Sequence, residues 1–233
     1  MAEALEAHER ARSGPHRQLV GPFICPVARL DELEACVAGG VPRPPALSLV
    51  IYKGEQRPSR MIVRPGVVQV EAPLGVRLPD EAVRVQRYLE LPSDGDVRVA
   101  VDEVVRLRAR VKVRCGGLTP DMVPTPARLA EVISACAARR VPFKATAGLH
   151  HPFRHYEASI GGPQHGFLNL LAAASAATTD VGLDVLIRLL ETEESDANTV
   201  VERIDRHSRE LLAAIGSCSI DEPVADLQAL GLL

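Results

Sequence analysis

The sequence predicts an α/β fold: a (βα)8-like (TIM) barrel of irregular build, with seven or eight parallel strands and a helical C-terminal tail. Short β-branched runs alternate with helical patterns along most of the chain. No G-x-G-x-x-G or Walker loop follows any of these runs, which argues against an open nucleotide-binding sheet. The length of 233 residues also suits one barrel. Residues 1–20 are polar and unpatterned and read as a flexible or frayed helical leader, leaving 21–233 as a single barrel domain.

Taken in order, Phe23–Val27 is a short apolar run followed by a helical stretch, Arg29–Val37, and Leu47–Tyr52 (LSLVIY) is a β-type run after the breaker segment VPRPP. Val67–Ala72 (VVQVEA) stops at Pro73, and Val85–Leu91 (VQRYLEL) stops at Pro92. The segment Asp96–Arg108 fits both periods and is assigned helix, because a parallel pair of strands needs a crossover there. Arg110–Cys115 (RVKVRC) runs into Gly116-Gly117. Thr125 then caps a helix that has Pro126 in its first turn and Leu129, Val132, Ile133 and Cys136 on its apolar face. Pro142–Ala147 (PFKATA) is the next strand. Helical patterns follow around His165–Ala177, Asp180–Glu191 and Asn198–Ile215, with a last short strand at Ser217–Ile220.

Composition narrows the function. Hydrophobic residues make up 46% and charged residues 24% of the chain, with a net charge of −3, so the chain can bury a large core and has no basic stripe for nucleic acid. No apolar run reaches membrane-spanning length, and the start lacks the apolar region of a signal peptide, so the expected compartment is the cytoplasm. The five cysteines show no C-x-x-C spacing, which disfavours a disulfide framework or structural zinc. A homo-oligomer is left open.

Lysine is scarce: 27 basic residues less three lysines leave 24 arginines, and Lys112 and Lys144 lie on predicted strands while Lys53 does not. Only a lysine amine can deprotonate and attack a carbonyl. Strand alternation places Gln69 and Glu71, then Tyr88 and Glu90, then Lys112 and Arg114, then Lys144 and Thr146 on the barrel-facing side. Burying such groups costs several kcal/mol for each unpaired charge, so they pair with one another or bind a ligand. The inward groups therefore predict a catalytic mouth in which Lys144, Lys112, Glu71 and Glu90 act and Arg114 and Thr146 hold substrate.

The segments PFKATAG and VKVRCGG resemble the two lysine-bearing strand ends of deoxyribose-phosphate aldolases, K-T-S-T-G and K-x-x-G-G. The resemblance implies a Schiff-base barrel in which Lys144 is the nucleophile and Lys112 lowers its pKa. Ala145 and Ala147 stand where that family has threonine, Thr146 where it has serine, and the two segments occur in the opposite chain order. The longer run KATAGLHHPFRH is similar to one in bacterial hypothetical proteins.

Four of the seven histidines, His150, His151, His155 and His165, fall directly after the Lys144 strand. His150 and His151 are candidates for general acid/base work, and Arg154 and His155 for substrate contact. Gly116 and Gly117 could offer backbone N–H groups to a phosphate, and GSCSIDEP, holding Ser217, Cys218, Ser219, Asp221 and Glu222, reads either as a second mouth loop or as a plain helix start. Cys115 falls on the outward register and is not assigned as a nucleophile.

The leading expectation is thus a lyase- or isomerase-type barrel enzyme acting on a small anionic carbonyl compound by Schiff-base or proton-abstraction chemistry, without a cofactor. One alternative is a divalent-metal enzyme using Glu71, Glu90 and the His150–His155 cluster. Another is a non-catalytic barrel that binds a ligand.

Overall fold

The computed structural model describes residues 1–55, 64–179 and 181–233. The chain forms two compact units, Met1–Glu90 and Leu91–Leu233.

The first unit is built on four parallel strands, β1 (Phe23–Pro26), β2 (Leu47–Val50), β3 (Val67–Pro73) and β4 (Gln86–Glu90), paired in that order. Helix α1 (Ala2–Ser13) occupies much of the expected leader and buries Leu5. Helix α2 (Leu30–Ala38) begins after a 3-10 turn and buries Leu30 and Leu33. All four residues of β2 are buried, the pattern of a parallel strand covered on both faces. Glu71 is buried beside Ser48, whose hydroxyl donates to Glu71 Oε1 at 2.6 Å.

The second unit holds three parallel strands. β5 (Arg110–Arg114) pairs with β6 (Phe143–Thr146), and β6 pairs with β9 (Leu212–Gly216). Helix α3 (Val97–Arg106) starts at Asp96, whose carboxylate accepts from the N–H groups of Arg98 and Val99, and buries Val97, Ala100, Val101 and Val104. Helix α4 (Pro126–Ala138) starts at Thr125, whose hydroxyl accepts from Arg128 N at 3.1 Å, and its predicted apolar face of Leu129, Val132, Ile133 and Cys136 is buried throughout. The Arg139–Asp102 ion pair ties α4 to α3.

Beyond β6 come a small antiparallel hairpin of β7 (His155–Glu157) and β8 (Gly162–Gln164), then α5 (Phe167–Ala177), α6 (Leu183–Glu191), α7 (Ala197–Val201) and α8 (Ser208–Leu211). Helix α9 (Asp221–Ala229) closes the unit. Helix α5 is buried almost all round, as its Leu/Ala composition requires.

The α/β class and the parallel strands agree with the sequence reading. Within the first unit the strands pair in chain order, and within the second β6 lies between β5 and β9. The C-terminal assignment needs correction. The pattern over Asn198–Ile215 resolves into two short helices and β9, and Ser217–Ile220 is the loop between β9 and α9 rather than a strand. Leu212, Ala213 and Ala214 are good helix formers, but pairing against β6 overrides that preference. Helix α6 begins at Leu183; Asp180, where the pattern starts, lies outside the described residues.

Candidate functional site

Lys112 and Lys144 face each other across the β5–β6 ladder in register, and both are buried, at 6% and 3% exposure. In-register residues on neighbouring strands project to the same face, so the two lysines share one side of the sheet. Arg114, at the end of β5, is exposed, and Thr146 is half-buried with its hydroxyl 3.5 Å from the carbonyl of Val113. Glu71 is buried and Glu90 half-buried in the first unit. Cys115 is fully buried, and desolvation raises its thiol to about 12, which fits its exclusion as a nucleophile.

The glycine pair after β5 has a packing role. A Cβ on Gly116 would sit 2.8 Å from Gly148 Cα, and one on Gly117 would run into the Met122 side chain. Two strand ends approach closely there because both residues in contact lack side chains. On the β6 side, Ala147 and Gly148 both take left-handed φ values of 68°. This pair stops the strand and turns the chain into the histidine segment.

That segment meets helix α9. His150 Nδ1 lies 2.8 Å from Glu222 Oε2, and His151 Nδ1 lies 2.8 Å from Asp226 Oδ2. Glu222 and Asp226 are four residues apart, so they share one helix face and meet two consecutive histidines. An ionised carboxylate can only accept, which places a proton of each ring on Nδ1, so that in the neutral imidazole Nε2 carries the lone pair.

His155 is fixed the same way. Its Nδ1 donates to the carbonyl of Phe153 at 3.1 Å, while Nε2 is buried without a hydrogen-bond partner and stands 3.8 Å from Glu157 Oε2. The rings of His151 and His155 meet edge to face at 4.6 Å between centroids. One ligand atom from each of His151, His155 and Glu157 lies within 4.8 Å of the others, the only such trio among the described residues. Arg154 Nη1 is also buried without a partner. His151, Arg154 and His155 line a cavity of about 660 Å³ together with Glu193, Tyr156 and Asp226.

A buried amide anchors the histidine segment. Asn169 is wholly buried on α5; its Oδ1 accepts from Arg154 N at 2.9 Å and its Nδ2 donates to the carbonyls of Leu189 and Thr192 at 2.6 and 2.9 Å. One amide therefore ties the histidine segment to the C-terminal end of α6. Glu157, Asp226 and Asn169 escaped the sequence reading. Asp226 pairs across 75 positions, and Asn169 was legible only as a lone amide in an Ala/Leu helix. Glu157 completes an H-x-x-x-H-x-E spacing with His151 and His155 that could have been noticed.

The fourth histidine of the cluster is structural. His165 is completely buried, and its Nε2 donates to the carbonyl of Pro124 at 2.7 Å. Desolvation, and to a lesser degree the nearby Arg154 cation, lower its pKa from 6.5 to about 4, against the opposing effect of the Pro124 bond. The folded chain thus resists protonation where the unfolded chain accepts it, so stability is complete above 6.5 and falls as pH drops towards about 4. This group is expected to remove about 3 kcal/mol over that window. Urea midpoints of the unaltered chain and of His165→Gln, compared from pH 7 to 4, should show the slope flattened in the variant.

No protein-family model, curated protein or solved structure matches the chain. No helix among the described residues is long and apolar enough to cross a membrane.

Proposed function

We propose that Leu91–Leu233 carries the site of a divalent-metal enzyme acting on a small anionic carbonyl compound. The observation that supports this most is the pair of imidazoles whose Nδ1 atoms are committed to Asp226 and to the Phe153 carbonyl, with His155 Nε2 3.8 Å from Glu157 Oε2 and a ligand atom of His151 within 4.8 Å of both. Metal-bound histidines are held in this way by a carboxylate or carbonyl on the second nitrogen. Two imidazoles and one carboxylate form a three-ligand set that leaves a position open to water or substrate, as catalytic zinc requires. The ion would polarise a carbonyl or lower the pKa of a bound water. Arg154, with a buried unpartnered N–H, gives the substrate's anionic group a donor inside the cavity. A volume of about 660 Å³ suits a small metabolite. The ligand carboxylate in this proposal is Glu157, in place of the Glu71 and Glu90 that the sequence suggested. The test is turnover of a panel of small esters and keto acids before and after chelation. Activity lost with the metal and restored by Zn2+ supports the proposal; activity indifferent to chelation contradicts it.

A second reading is favoured by a separate observation, the in-register burial of Lys112 against Lys144. A lysine amine, unlike a guanidinium, can attack a carbonyl and form a Schiff base. On this reading Lys144→Arg keeps the charge and the fold but abolishes turnover, because guanidinium stays protonated, while Lys112→Arg is milder. Borohydride reduction with small aldehydes and keto acids should then fix an adduct on Lys144. Labelling confined to Lys53, which is exposed, would count against it.

A further inference from the structure

Cys218 sits in the loop after β9, the strand that pairs with β6, and is exposed with its Sγ 4.0 Å from His150 Nε2. His150 Nδ1 is held by Glu222 Oε2 at 2.8 Å on the other side of the ring. We infer that Cys218, His150 and Glu222 form a thiol nucleophile, its base and the residue that positions that base, and that this group takes acyl chains from activated esters or thioesters. A nucleophile within reach of an imidazole, itself oriented by a third group, is the arrangement covalent acyl transfer needs, and such contacts are loose before substrate binds. Glu222 holds a proton on Nδ1, so in the neutral imidazole the Nε2 lone pair faces the thiol.

The step balances without an added oxidant or metal. The Cys218 Sγ–H proton passes to His150 Nε2 as Sγ bonds to the acyl carbon; the acyl C–O or C–S bond breaks, and the alcohol or thiol leaves with that proton. Water then attacks the thioester through the same base, releasing the carboxylic acid and restoring the thiol. The remaining cysteines give internal controls: Cys25, Cys115 and Cys136 are buried, and Cys36 is half-buried with no paired histidine among the described residues.

The test exposes the intact chain to 4-nitrophenyl acetate in the presence of a chelator, so that the metal site proposed above has no part in the readout. Nitrophenolate release is followed, and the acetyl group is located by mass spectrometry. Cys218 should be acetylated well before Cys36, and His150→Gln should slow it on the order of 100-fold, the usual loss when a general base is removed. Glu222→Gln should slow it less, with Glu222→Asp restoring part of the rate. Acetylation of Cys218 that is no faster than that of Cys36, or a rate unchanged in His150→Gln, overturns the assignment. Should His150→Gln fail to fold, the Cys218-to-Cys36 ratio in the unaltered chain decides alone.

Discussion

Replacing His155 by alanine is expected to weaken divalent-metal binding by more than about 100-fold, because it removes a ligand whose loss should exceed the cost of removing an outer partner. His151→Ala should do the same. Asp226→Asn keeps the shape but weakens the hold on His151 Nδ1, and should cost about tenfold. Calorimetric titration of the chelated chain with Zn2+ checks all three. The order matters more than the absolute values: a ligand loss greater than the Asp226 loss, with His8→Ala unchanged, is the pattern expected of a site on β7 and its preceding loop.

The second large effect concerns folding. Gly166 lies just before α5, where a Cβ would fall 2.3 Å from the Pro152 carbonyl oxygen and 2.4 Å from Asn169 Oδ1. The first neighbour is backbone and cannot rotate away. Gly166→Ala is expected to destabilise the second unit by about 3 kcal/mol or more, as overpacking in a closed site does at its upper end. Gly161→Ala is the useful contrast. Its φ of +72° carries strain but nothing stands within 4 Å, so it should cost only about 1 kcal/mol. Chemical denaturation of the two variants separates crowding from backbone strain.

These effects show which features could be read from the chain and which could not. The start of α4 was legible because Thr125 and Pro126 act on their own helix turn, and the Lys112–Lys144 pairing was legible because alternation within a strand is a local rule. Strand β9 was not, since Leu212–Ile215 is helix-like in composition and becomes a strand only against β6. The carboxylate partners of the histidines were hidden for a related reason. Glu222 and Asp226 are 72 and 75 positions from His150 and His151, and only the fold sets the face of α9 against them. The cluster His150–His155 was visible in the sequence; the commitment of each Nδ1, which gives the cluster its chemical meaning, required coordinates.

The account rests on which ring nitrogens of His151 and His155 are left for a metal, and long-range 1H–15N spectra of the imidazoles measure that directly. On addition of one equivalent of Zn2+, Nε2 of His151 and His155 should shift while both Nδ1 atoms keep their protonated signatures and His165 stays unchanged. Shifts confined to histidines outside the trio such as His207, or loss of the Nδ1 protons of His151 and His155, would contradict it.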